Sequence, residues 1–227
     1  MKEVSVFLPC RKGSERVAKK NIKPFAGIEN GLIAIKLNQL VQVKAISNIF
    51  LSTNDEEILE YAKTLNSSKI KLHKRVESLS TSETSTDDLV NHALELVSSE
   101  HILWTHVTSP FLNTQAYEAI IKTYFNKLDQ GYDSLMTTNL IHGFLWNEVA
   151  PINYNRTLEK WPRTQTLEPI HEINSGAFLA STCIYKELQD RIGKKPYLYI
   201  LDKIQGFDID WKEDFEIAEC IYKSRNI

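Results

Sequence analysis

Apolar residues recur along this chain in two alternating rhythms. Short runs read as buried strands at Val4 to Pro9, Asn48 to Thr53, Lys69 to Leu72, His101 to Val107, Asp133 to Thr138, Ile173 to Ser181 and Tyr197 to Leu201. The run from Ile173 carries a glycine kink at Gly176. Between these runs the apolar spacing turns helical: Leu32 to Val43, the stripe Ile58, Leu59, Ala62 and Leu65, then Asp87 to Val97, Asn113 to Leu128, Thr182 to Ile192 and Glu213 to Lys223. Asn54 or Asp55 caps the second of these helices, where Asp55, Glu56 and Glu57 set negative charge against the helix dipole. Alternation of strand and helix, with strands apolar enough for cover on both faces, predicts an α/β fold. Its sheet is mostly parallel, Rossmann-like and flanked by helices.

The rhythm breaks between Asn139 and Glu172, a stretch rich in aromatics, prolines and polar residues with no helical period. A structureless insertion of this length is uncommon inside a compact domain, so residues 139–172 read as strands or an arm leaving the main sheet. Phe144, Trp146, Tyr154 and Trp161 are either the contacts of a dimer interface or a cover for the sheet edge. No repeat and no second domain is evident, which predicts one domain over residues 1–227.

Composition narrows the class. With 227 residues, 42% hydrophobic and 25% charged, the chain is an ordinary globular protein with room for a sizeable core. A net charge of −2 gives no general attraction to nucleic acid. No run reaches the roughly 18 apolar residues of a membrane span, and Lys2-Glu3 before a short strand is no signal peptide. The three cysteines, Cys10, Cys183 and Cys220, form no CxxC pair, so reduced thiols in a cytoplasmic protein are expected. Cys10 adjoins a basic loop that would lower its pKa, but a buried strand-end thiol is the plainer role.

That loop concentrates charge: Arg11, Lys12, Arg16, Lys19, Lys20 and Lys23 face only Glu15. On charge alone it is as readily a solvated surface. Its position, straight after the first strand and around Gly13 and Ser14, points to polyphosphate held by backbone N–H groups and cationic side chains. It matches neither the ATPase P-loop nor the three-glycine dinucleotide fingerprint. Near the other end, Asp208-Ile209-Asp210 places two carboxylates on one side of an extended segment. Such a pair marks a solvated strand or cap, or it repels unless a cation such as Mg²⁺ sits between its members.

In motif order the chain resembles the CMP-sugar-acid synthetases, which activate sialic acids, Kdo and related acids with CTP. The opening carries Arg11, Lys12, Gly13, Ser14, Arg16, Lys20 and Asn21 in that family's order, and Asp208-x-Asp210 stands just before the last helix. The resemblance implies a nucleotidyltransferase, GT-A-like fold with a small protruding arm that packs across a homodimer. It implies CTP and an acidic sugar as partners, and Mg²⁺ on Asp208 and Asp210. Arg11, Lys12, Gly13 and Ser14 would hold the triphosphate, Arg16 would face the leaving pyrophosphate and Lys20 the α-phosphate. Asn21 would touch cytosine-ribose or phosphate, and Arg11, Lys20 and Asp210 would carry catalysis.

Other stretches match in part. Arg75, Ser80 and Thr84 to Thr86 resemble a cytosine-binding segment, although helix capping explains the hydroxyls equally well. His106 stands where the family usually has glutamine, and it reads as a structural strand-end histidine or as an acceptor contact beside Thr108. Gln165, Asn174 and Ser175 complete the expected acceptor side, while Phe178 and Leu179 stand near the place of a sialate-specific tyrosine. The expected reaction transfers CMP from CTP to a sugar hydroxyl for surface glycan synthesis. A nucleotidyltransferase with another base or acceptor, or a non-catalytic binding homologue, is the alternative.

Overall fold

A computed structural model describes residues 2–225. Its strands are β1 (Val4–Pro9), β2 (Ile46–Thr53), β3 (Ile70–Lys74), β4 (His101–Trp104), β5 (Ser134–Ile141), β6 (Ile170–Ser181) and β7 (Pro196–Leu201). They form one sheet in the order β3-β2-β1-β4-β6-β5-β7. All pairings are parallel except those of β6, which runs antiparallel to both β4 and β5.

Helices cover both faces. On one side α1 (Gly31–Gln42), α2 (Glu56–Thr64), α4 (Thr114–Leu128) and α6 (Lys212–Ser224) pack with Val4, Val6 and Leu8 of β1. On the other, α3 (Thr86–Leu96) and α5 (Thr182–Leu188) pack with Phe7, Ile102, Trp104 and Phe178. Alternate β1 residues thus enter opposite cores, and the whole strand is buried. Asp55 caps α2 by accepting from the Glu57 amide, and Ser85 forms a reciprocal capping box with Asp88 at α3.

Three predicted bounds are corrected. The run His101 to Val107 is a strand only to Trp104, because β6 bends away at a bulge around Gly176. Thr105 Oγ1 then donates to the Gly176 carbonyl at 2.6 Å in place of ladder bonds. The helix from Thr182 ends at Leu188, where Gln189 turns left-handed (φ 54°). The break at residues 139–172 is narrower than expected: β5 continues to Ile141 and pairs there with the start of β6 at Ile170. The arm proper is residues 142–169, with a 3₁₀ turn at Thr164–Thr166. On it, Phe144 lies edge-on to Tyr154 and Trp161, while Arg156 lies over the rings of Trp146 and Trp161. Trp146 and Trp161 are 47% and 67% exposed.

Candidate functional site

Strand order reverses between β1 and β4: from β1 the chain builds outward through β2 and β3, then returns to β1's other side. Ligand crevices in open α/β sheets form at such a point, beyond the strands' carboxyl ends. There lies a cavity of about 340 Å³, walled by Cys10, Arg11, Ser14, Arg16, Lys20 and Asn21 from the loop after β1 and by His106 and Thr108 from the loop after β4. Asp210, from the segment before α6, closes it.

The basic loop is tied down near both of its ends. Gly13 takes a positive φ of 82°, and the Lys12 amide donates to Asn54 Oδ1 at 2.8 Å. Lys19 pairs with Glu57 of α2 at 2.6 Å. Asn21 Nδ2 donates to the Arg11 carbonyl at 3.0 Å, and the Asn21 carbonyl accepts from the Ile33 amide of α1.

Lys20 links the two ends of the chain. Its Nζ donates to the Ile209 carbonyl at 2.6 Å and lies 3.8 Å from the Asp210 carboxylate. Arg16 reaches the same carboxylate at 3.4 Å and stacks on Trp211, its guanidinium 4.3 Å from the ring centre. The Ile209 amide donates to the Thr108 carbonyl at 2.9 Å, which ties the aspartate segment to the end of β4. Ile209 is buried while Asp208 and Asp210 both line a second cavity of about 370 Å³, as a period of two requires. Asn139, Asn174, Ser175, Gly206 and Lys203 line that cavity too, and Asp210 is common to both.

Electrostatics follow from burial. Desolvation lowers the Lys20 pKa, against the pull of Asp210 and Asp208. Burial raises the Asp208 pKa, and the neighbouring Asp210 charge adds to the rise. Among the described residues no three His, Cys, Asp or Glu side chains cluster to hold a metal alone. Two repelling carboxylates beside open space nonetheless suit a hard cation that takes its remaining ligands from water and phosphate oxygens.

The candidate residues divide. Arg11, Ser14, Arg16, Lys20, Asn21, His106, Thr108 and Asp210 meet at the first cavity; Asn174, Ser175, Asp208 and Asp210 meet at the second. Lys12 and Gly13 are exposed on the loop outside these walls. Arg75 and Ser80 are buried and occupied with each other, Arg75 Nε donating to Ser80 Oγ at 3.1 Å. Neither is a wall of the first cavity. Gln165 sits exposed on the arm's 3₁₀ turn, outside both cavities. Thr84 to Thr86 serve local turn and cap geometry: Thr84 Oγ1 accepts from the Thr81 amide, and Ser85 caps α3.

His106 has both ring nitrogens engaged. Nδ1 donates to the Ser175 carbonyl at 3.0 Å, and Nε2 accepts from Trp104 Nε1 at 3.1 Å. Burial pushes its pKa down to about 4, so the ring is neutral and shapes the wall with its face. Asn174 is likewise committed: Oδ1 accepts from Thr137 Oγ1 and the Gly176 amide, and Nδ2 donates to Asn139 Oδ1. It braces the second cavity, leaving half-buried Ser175, at a positive φ of 56°, as the less committed member. Cys10 is buried with its thiol pushed up to about 12, which makes it inert.

Sequence reasoning missed Trp211, Asn139 and Lys36. Lys36 lies on an apolar helix face with no local signal beyond being a lysine among Leu and Ile. The Asn139 partnership with Asn174 spans 35 positions and has no sequence signature.

A family model described as cytidylyltransferase matches residues 5–224. A pseudaminic acid cytidylyltransferase of Campylobacter jejuni is 28% identical, over 96% of this chain and 95% of its own length. An N-acylneuraminate cytidylyltransferase A of Danio rerio is also 28% identical over 96% of this chain, which spans 50% of that longer protein. Among solved structures, a CMP:2-keto-3-deoxy-manno-octonic acid synthetase complexed with CTP superposes with a TM-score of 0.67 at 14% identity, covering 100% of both chains. A 4-diphosphocytidyl-2C-methyl-D-erythritol synthase from Anaerococcus prevotii gives 0.68 at 16% identity, covering 98% of this chain and 96% of that one. At these identities the structural likeness establishes the shared fold.

Proposed function

This chain belongs to the cytidylyltransferase family, and from that premise we propose that it transfers CMP from CTP to a hydroxyl of an acidic sugar of the nonulosonic type, releasing pyrophosphate. The observation that carries the reading is the meeting of Lys20 with Ile209 and Asp210 across 189 positions of sequence, at a cleft lined by Arg11, Ser14 and Arg16. The names of the relatives support the acceptor class, since pseudaminic and N-acylneuraminic acids are both acidic sugars.

In this reaction the sugar oxygen bonds to the α-phosphorus, its hydroxyl proton passes to water, and the bond from that phosphorus to the α,β-bridging oxygen breaks, releasing pyrophosphate. The transition state spreads negative charge over phosphate oxygens, so placed cations and donors lower its energy. Arg11 and Ser14 bind the triphosphate in the first cavity, with Lys12 and Gly13 at its exposed rim. Lys20, held by the Ile209 carbonyl, places an ammonium at the α-phosphate, and Arg16 faces the pyrophosphate. Asp208 and Asp210 would hold Mg²⁺, which would supply Lewis-acid stabilisation of phosphate oxygens. The sugar enters the second cavity beside Ser175, so that its hydroxyl approaches across the shared Asp210. Asn21 keeps its cavity position through the Arg11 carbonyl rather than through nucleotide alone.

The arm's exposed aromatics support a homodimer. The three cysteines are free, which fits the reducing cytoplasm. No helix among the described residues is long and apolar enough to cross a membrane.

The test is pyrophosphate release with Mg²⁺ and CTP across a panel of keto-sugar acids, with UTP, GTP and ATP as comparisons. Turnover with CTP and at least one acid is expected. Lys20→Ala and Asp210→Ala are each expected to lower kcat by at least about 100-fold, with native circular dichroism. Turnover with another nucleotide instead, or near-native rates in either variant, overturns the reading.

A further inference from the structure

Lys36 carries an amine with no surface exposure, buried in the core beneath the site. Its Nζ donates to the Ser109 carbonyl at 2.8 Å and to the Tyr117 hydroxyl at 2.6 Å. From Tyr117 the chain of hydrogen bonds continues to Thr105 Oγ1 at 2.7 Å, and Thr105 donates to the Gly176 carbonyl. One amine thereby joins α1, α4, the end of β4 and the bulge of β6. Above the amine stands the turn Thr108-Ser109. Thr108 accepts the Ile209 amide, and Ser109 Oγ faces Asp208 Oδ1 at 3.5 Å. Burial lowers the Lys36 pKa to about 7, and the nearby Asp208 charge opposes that fall.

Burying a lysine amine is unfavourable, whether the charge is kept or given up, unless its donors are satisfied. A methionine of similar length would fill the same space without burying an amine. Packing therefore does not account for a lysine here, whereas the turn it grips does.

We propose that Lys36 is a positioning residue: it fixes the Thr108-Ser109 turn, and through that turn sets the Asp208 carboxylate at the metal-nucleotide site. The proposal rests on the nucleotidyl-transfer reading and adds a residue that never touches substrate. Loss of the grip lets the turn and Asp208 shift together, and a displacement on the order of 1 Å costs about 100-fold in rate.

The experiment compares native protein with Lys36→Met and Tyr117→Phe. Three readouts are taken on each: thermal midpoint, kcat and KM for CTP, and Mn²⁺ affinity in the presence of CTP by electron spin resonance. Lys36→Met is expected to melt at or above the native temperature. Its kcat is expected to fall about 100-fold, with little change in KM for CTP and Mn²⁺ affinity weakened several-fold. Tyr117→Phe, which removes one of the amine's two acceptors, is expected to shift kcat and Mn²⁺ affinity in the same direction by a smaller factor. It serves as the deciding variant should Lys36→Met not fold. Native kcat and native Mn²⁺ affinity in the folded variants overturn the proposal, whatever their melting points. Failure of the native protein to bind Mn²⁺ with CTP is a separate result: it overturns the metal reading itself.

Discussion

His106 shows how one side chain's role follows from its partners. Both ring nitrogens are paired with groups of β4 and β6, and the neutral ring braces the bulge at Ser175. Its folded pKa, about 4, lies below the ordinary 6.5. The unfolded chain therefore binds the additional proton between these values, and His106's contribution to stability is present above pH 6.5 and lost as pH falls through the window. Urea midpoints are expected to drop between pH 6.5 and 4, and His106→Gln, which keeps a donor and an acceptor without titrating, is expected to flatten that slope. An identical slope in the variant would assign the acid loss to other groups. From sequence the histidine read equally as brace or acceptor contact, because which groups surround a ring nitrogen is not local information. The cationic residues were legible, since charge clustered after a first strand is visible in a string.

At the scale of elements, two glycines let separate segments touch. A Cβ on Gly31, at the start of α1, would stand 1.9 Å from the Lys23 carbonyl oxygen, and its φ is +48°. That approach seats the basic loop on α1, where the Ile33 amide meets the Asn21 carbonyl. Gly31→Ala is expected to destabilise the protein by more than about 2 kcal/mol, read as a lower urea midpoint. Gly206 adjoins the Asn139–Asn174 pair, with Asn139 Oδ1 1.9 Å from a built Cβ. Gly206→Ala is expected to displace that pair and the aspartate segment after it, so kcat should fall by more than the loss of folded protein explains. Equal falls in both quantities would count against a role for this brace in the site. The helices and strands themselves were largely legible from period and caps. The short β4 and the continued β5 and β6 were not, because a bulge in one strand sets where its neighbours stop pairing.

Over the whole molecule, the reversal of strand order between β1 and β4 makes the cleft, and the return of the chain before α6 brings the aspartates to it. The arm, residues 142–169, is the one large departure from this plan, and it carries Phe144, Trp146 and Trp161 exposed. Sedimentation is expected to give a dimer, and Trp146→Ser with Trp161→Ser a monomer that keeps the native melting curve of the sheet domain. A native protein that sediments as a monomer at micromolar concentration would remove the interface.

The amino-acid string alone fixed the alternation of strand and helix, the cationic loop and the spacing of the two carboxylates. Each is written in neighbouring residues through period, charge and cap chemistry. Folding in three dimensions decided which groups are free to meet a ligand. Asn174 and His106 spend polar atoms on partners 35 and 69 positions away and Arg75 is buried against Ser80, whereas Lys20 and Asp210, paired with each other, line an open cleft. Only tertiary contact could place Lys36 beneath Asp208. A buried amine is tolerated where distant segments supply its acceptors, and no local pattern records where those segments come to rest.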